Sequence, residues 1–213
     1  MNPLVEVIGL IAGALSLSTS VPQIVRVVRS KSEVGVSLTS WLIFALSVAS
    51  WTAFGIRYHS LSQIITNAIA LVLAGFLSWM LMRTRFTGRV PAPGLFAFLV
   101  VLASSIVCAI VVFVSPDTFV NVFLNLFLIS RVPQVFESIQ SWRVSRLTVV
   151  SKSTYTLSIA SGIIWTVYGL MIGSIAVIIY SVVFLVLSVI ILVFEALAGR
   201  RASALAARNA ASN

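Results

Sequence analysis

Charge is scarce in this chain of 213 residues. Only 9% of its residues are charged, and five acids face 14 basic side chains, whereas soluble domains carry about 25% charged residues. So few charges cannot solvate a water-facing globule. The single cysteine, Cys108, excludes an internal disulfide and a cysteine metal site, and the single histidine, His59, excludes a His-His ligand pair. No nucleophile–base pair, metal cluster or phosphate loop is visible, so no enzyme, metal or cofactor is expected. Low-complexity stretches and Asn-x-Ser/Thr sequons are also missing. What is present is apolar: 60% of residues are hydrophobic and the mean hydropathy is +1.12. The chain reads as an all-helical integral membrane protein whose first partner is the lipid bilayer.

The opening Met1-Asn2-Pro3, with Glu6 as the only early charge, lacks the basic start and small-residue cleavage site of a signal peptide. A span needs about 20 apolar residues. Seven stretches meet that need: 4–26, 37–56, 61–82, 94–115, 118–141, 153–172 and 174–196. In lipid the backbone must satisfy itself, so each is a helix. Basic residues fall on alternate sides. Arg26, Arg29 and Lys31 follow span one; Arg83, Arg85 and Arg89 follow span three; Arg143, Arg146 and Lys152 follow span five; Arg200, Arg201 and Arg208 follow span seven. The opposite side has only Arg57, and Arg131 lies inside a span. The positive-inside rule puts the N-terminus outside and the C-terminus in the cytoplasm. The net charge of +9 is therefore topology, and no nucleic-acid partner is expected. Arginine outnumbers lysine twelve to two, which with the missing sequons points to a bacterial inner membrane.

The chain repeats itself. Val21-Pro22-Gln23 returns as Val132-Pro133-Gln134, and Trp51-Thr52-Ala53-Phe54-Gly55 returns as Trp165-Thr166-Val167-Tyr168-Gly169. Each unit has three helices, and span four has no counterpart. Two units of odd span number need one linker helix to insert in parallel, which makes the architecture 3+1+3 about an axis along the membrane normal. The expected divisions are 1–86 for the first three-helix repeat, 87–116 for the linker helix, 117–197 for the second repeat and 198–213 for a cytoplasmic tail, disordered or a short surface helix.

At these motifs the sequence resembles the PQ-loop superfamily and, within it, the SWEET and SemiSWEET sugar transporters. The resemblance covers both repeats, and the first, with Ser18 through Gln23, Val34 through Leu38, Trp51 through Gly55 and Asn67, is the closer match. It implies a facilitator (uniporter) that moves mono- or disaccharides by alternating access. It implies a sugar pocket made by Trp51 and Asn67 from one repeat and by Trp165 and Ser181 from the other. It implies hinges at Pro22-Gln23 and Pro133-Gln134. Ser181 departs from the family's Asn, and spans two and six lack the prolines of plant-type members, so the chain reads as two SemiSWEET-like halves joined by a linker. Whether two copies associate stays open.

The residues themselves fit that chemistry. Indole faces suit a sugar's C–H side and an amide suits its hydroxyls. The competing roles are interfacial anchoring for Trp51 and Trp165 and an interhelical hydrogen bond for Asn67. Pro22 frees the carbonyl of Ser18 and Pro133 that of Ile129, giving a hinge or a static kink. Arg131 must face a cavity, pair or snorkel, and it either shapes an inner gate or meets an anionic substrate. Arg57, Tyr58 and His59, with Asp117 on the same side, form either an outer gate or a solvated loop. Glu6 is an interfacial residue or a proton carrier, and Gly9 and Gly13 form a helix-packing pair. Two rival functions remain: a proton-coupled amino-acid carrier, which needs a carboxylate at the site, and a non-transport membrane receptor of the same topology.

Overall fold

The computed structural model describes residues 2–30, 38–85, 93–144 and 152–211. Their regular elements are helical: α1 (Pro3–Ser30), α2 (Leu38–Arg57), α3 (Leu61–Arg85), α4 (Pro93–Val114), α5 (Asp117–Leu126), a 3-10 segment (Phe127–Arg131), α6 (Val132–Arg143), α7 (Lys152–Ile172) and α8 (Ile175–Ala211). Among the described residues six stretches are long and apolar enough to cross a membrane, Asp117–Arg143 counting as one, and α4 adds the apolar stretch Leu102–Val114. These are the seven helical spans of a 3+1+3 fold.

In the first bundle α3 packs on both α1 and α2; in the second α8 packs on α7 and on α5 and α6. Between the bundles α1 packs on α7, and α2 on α5 and the 3-10 segment. The first helix of each bundle thus meets the second helix of the other, as a two-fold pseudo-axis requires. The linker helix α4 rests on α2 and α3.

The repeat extends to single turns. His59 (φ 54°) ends α2 and Gly173 (φ 65°) ends α7 in left-handed conformation, 114 positions apart. Each is followed by a backbone bond that closes the helix, Ser60 N to Gly55 O at 2.9 Å and Ser174 N to Gly169 O at 3.0 Å. The glycine that closes each Trp-Thr-x-aromatic-Gly block also has a packing cause. A Cβ on Gly55 would stand 2.9 Å from the Ile64 backbone nitrogen, and one on Gly169 3.1 Å from that of Ile178.

Two elements differ from the sequence reading. Span five is broken by the 3-10 segment just before Pro133. Without an N–H on Pro133, the Ile129 carbonyl takes the Val132 N–H instead, the tighter bond of a 3-10 turn. The first repeat shows no such break, since α1 is α-helical past Pro22. Span seven does not stop near residue 196; α8 runs on to Ala211, because the Ala- and Arg-rich tail is itself strongly helix-forming.

Candidate functional site

A cavity of about 140 Å³ lies between the bundles. On α3 its wall is Gln63, Thr66, Asn67 and Ala70, and on α8 Val177, Tyr180, Ser181 and Phe184. Each set follows the i, i+3, i+4, i+7 spacing of one helical face, and the two are related position for position by the repeat. Trp51 and Trp165, also repeat equivalents, line the same cavity, as do Ser16 and Ser20 of α1. At about 1.5 Å per residue, Trp51 lies roughly 9 Å inside the end of α2 and is 5% exposed.

The two halves are wired differently. Trp165 is tied down: its Nε1–H donates to Ser16 Oγ at 3.0 Å, and Ser16 and Ser161 share a 2.6 Å hydroxyl contact across the α1–α7 seam. Trp51 stands edge-on to Tyr180 (5.0 Å between centroids) and Phe54 (5.4 Å). Its buried Nε1–H has no hydrogen-bond partner among the described residues, a state that native structures rarely leave unexplained. Asn67 donates to the Gln63 carbonyl and to Gln63 Oε1, both at 2.9 Å. Ser181 is spent on its own bundle, donating to Val177 O at 2.7 Å and contacting Thr166 Oγ1 at 3.0 Å. Tyr180, one residue earlier, is the larger polar side chain on that wall. Gln63, Thr66 and Tyr180 escaped the sequence reading; stepping by three and four from Asn67 and adding the repeat offset finds all three.

Arg131 also lines the cavity, its guanidinium 4.5 Å from the centroid of the Phe184 ring. Glu137, its nearest acid in sequence, is exposed. Of the hinge candidates, Gln134 is half-buried in α6. The backbones of Pro22, Gln23 and Pro133 are helical, but their side chains lie outside the described residues.

Towards the end that carries the N-terminus, the cavity is closed by an apolar cluster in which Trp51, Phe54, Val112, Val120, Tyr168 and Val177 pack together. Tyr168 of the second bundle bonds Ser60 (2.5 Å) and Ser62 (3.2 Å) of the first. Beyond the cluster lies a vestibule of about 480 Å³ walled by Phe54, Tyr58, Ser60, Asp117 and Ser174 among others. At its rim Arg57 Nη2 pairs with Asp117 Oδ1 at 2.6 Å, joining α2 to α5. Arg57 Nη1 donates to the Ser115 carbonyl at 2.9 Å and to that of Val112. The Tyr58 hydroxyl donates to Asp117 Oδ1 at 2.5 Å. Partial burial, then this bond to a carboxylate, raises the Tyr58 pKa above its ordinary 10.0. His59 is exposed. Glu6 accepts the Leu61 and Ser62 backbone N–H groups at 3.2 and 2.7 Å, capping α3.

A lipid-spanning bundle whose two like halves close on a polar, aromatic-walled cavity has the architecture of a membrane transporter. The sugar transporter SemiSWEET of Bradyrhizobium diazoefficiens is 30% identical over 84 residues, 39% of this chain but 98% of that protein. The SemiSWEET of Escherichia coli is 30% identical over 66 residues, 31% of this chain and 74% of its own. A solved eukaryotic SWEET transporter superposes with a TM-score of 0.70 at 15% identity, covering 92% of this chain and 99% of that one. No family model matches the chain. The chain belongs to the SWEET/SemiSWEET family.

Proposed function

We propose that the protein carries a small sugar down its gradient by alternating access, the ring lying between the Trp51 and Trp165 sides of the cavity. The observation that carries this is the doubled wall: the same positions of both repeats, plus both tryptophans, converge on one space. The unpartnered Trp51 Nε1–H supplies a donor, and the Asn67 amide a further polar group, for sugar hydroxyls. At roughly 10–15 Å³ per water position the cavity holds about ten waters, which favours one ring over two. Among the described residues no acidic side chain lines it, which favours uniport over proton coupling. The Ser181 hydroxyl is bonded to the Val177 carbonyl, and Tyr180 takes over the polar role that Asn67 has opposite.

In this reading the N-terminal end faces outward, in a bacterial inner membrane. The Arg57–Tyr58–Asp117 cluster latches the outer end, and the 3-10 turn before Pro133-Gln134, with Pro22-Gln23 in the first repeat, lets the bundles rock. The functional units are the repeats 1–86 and 117–197 about the linker 87–116, and the residues after 198 prolong α8. The test is exchange of labelled glucose across proteoliposomes. Trp51→Ala or Asn67→Ala should abolish exchange while each variant still elutes as folded protein; exchange at the wild-type rate in both would defeat the proposal.

A further inference from the structure

Among the described residues that line the central cavity, Arg131 alone is charged. Its repeat counterpart, Ser20, lines the same cavity and is neutral. The Arg57–Asp117 ion pair belongs to the vestibule rim, beyond the apolar cluster that closes this cavity. Arg131 is held instead by the face of Phe184. A guanidinium stacked on a ring keeps its in-plane N–H groups for another partner, and its planar fork matches a carboxylate. The acids near it in the second bundle are engaged or turned away: Glu195 accepts the Ser138 hydroxyl at 2.8 Å, and Glu137 is exposed. The cavity around this half-buried cation is walled by tryptophan, tyrosine and phenylalanine, so an anion entering it gains more from the guanidinium than it would in open water.

We propose that the preferred cargo is a monosaccharide acid, a single sugar ring bearing one carboxylate, with Arg131 as the residue that selects it. This rests on the sugar reading above and narrows its substrate class. One guanidinium balances one carboxylate, whereas a phosphorylated sugar brings a second charge that no other cavity residue answers. The asymmetry of the repeats has a use in this account: one wall carries the Asn67 amide for hydroxyls, the other the cation for the acid group.

The probes are D-glucuronate and D-glucose, with binding followed by quenching of the cavity tryptophans and transport by exchange in proteoliposomes. The wild type should favour glucuronate. A charge-assisted hydrogen bond contributes about 1.5–3 kcal/mol, so Arg131→Gln should lower the ratio of glucuronate to glucose affinity by about 10- to 100-fold, however glucose itself responds. Arg131→Lys, which keeps the charge but loses the fork, should retain part of the preference and serves if the glutamine variant does not fold. An unchanged ratio in Arg131→Gln overturns the proposal, as does a wild type that exchanges glucose and ignores glucuronate. If neither sugar binds the wild type, the sugar reading itself has failed.

Discussion

Replacing Gly13 with alanine drives a wedge between α1 and α3. An added Cβ would stand 1.9 Å from Thr66 Cγ2 and 2.5 Å from Thr66 Cβ. Carbon atoms rest at about 3.5–4.0 Å. A new rotamer could move Cγ2, but Thr66 is β-branched and its Oγ1 is committed to Ser62 O at 2.6 Å. Its Cβ moves only with the backbone, so the helices must part by about 1 Å to reach even the short end of that range. Overpacking of this kind costs about 1–3 kcal/mol. Alanine also gains about 0.5–1 kcal/mol over glycine inside a helix, which blurs the single measurement. Gly75 of α3 removes the ambiguity, because a Cβ there meets nothing within 4 Å. Gly75→Ala should show only the gain, so the two variants should differ by about 1–3 kcal/mol. On the scale of domains this size that separates their melting temperatures by about 2–12 °C. The assay is thermal unfolding of purified protein in detergent, read by size exclusion. Since Gly13 and Thr66 both line the cavity, Gly13→Ala should also slow transport and Gly75→Ala should not. Equal melting temperatures would refute the packing argument.

Asp117→Asn removes the charge that Arg57 and Tyr58 share at the rim; an exposed ion pair contributes about 1 kcal/mol or less, so the outer latch should open up to about fivefold more often. Labelling of a vestibule cysteine by an impermeant thiol reagent, on a background without Cys108, measures this, and unchanged labelling would remove the latch. The Tyr58 pKa is raised by burial and by Asp117, so its contribution is complete below about pH 10 and fades as pH climbs through the higher folded value. Latch opening should therefore be flat from neutral to mildly alkaline pH and rise above that range, and Tyr58→Phe should abolish the rise; a rise that persists in the variant would assign it to another group.

Much of this architecture is legible in the residues because lipid leaves the backbone few options. Apolar length marks the spans, and the paired Pro-Gln and Trp-Thr-x-aromatic-Gly blocks mark the repeat. Trp51, Asn67 and Trp165 stand out as polar or aromatic side chains at matched repeat positions. Tyr180 does not, because a tyrosine in an apolar helix looks like any core aromatic, and its partner position holds Thr66. Phe184 gives no charge signal, so it could not be read as the group that holds Arg131. Pro133 announces a distortion but not its form: the break lies at Phe127–Arg131, in the turn whose Ile129 carbonyl loses its i+4 donor and takes the Val132 N–H instead. The Arg57–Asp117 bond joins helix ends 60 positions apart, a pairing that only the packing of α2 on α5 creates.

The most direct test of the central claim is uptake of labelled glucose into proteoliposomes with and without an imposed proton gradient. A uniporter whose described cavity lining holds no carboxylate predicts saturable uptake, equal under both conditions and lost in Trp51→Ala. Flux that appears only with the gradient, or that survives Trp51→Ala unchanged, would contradict the account.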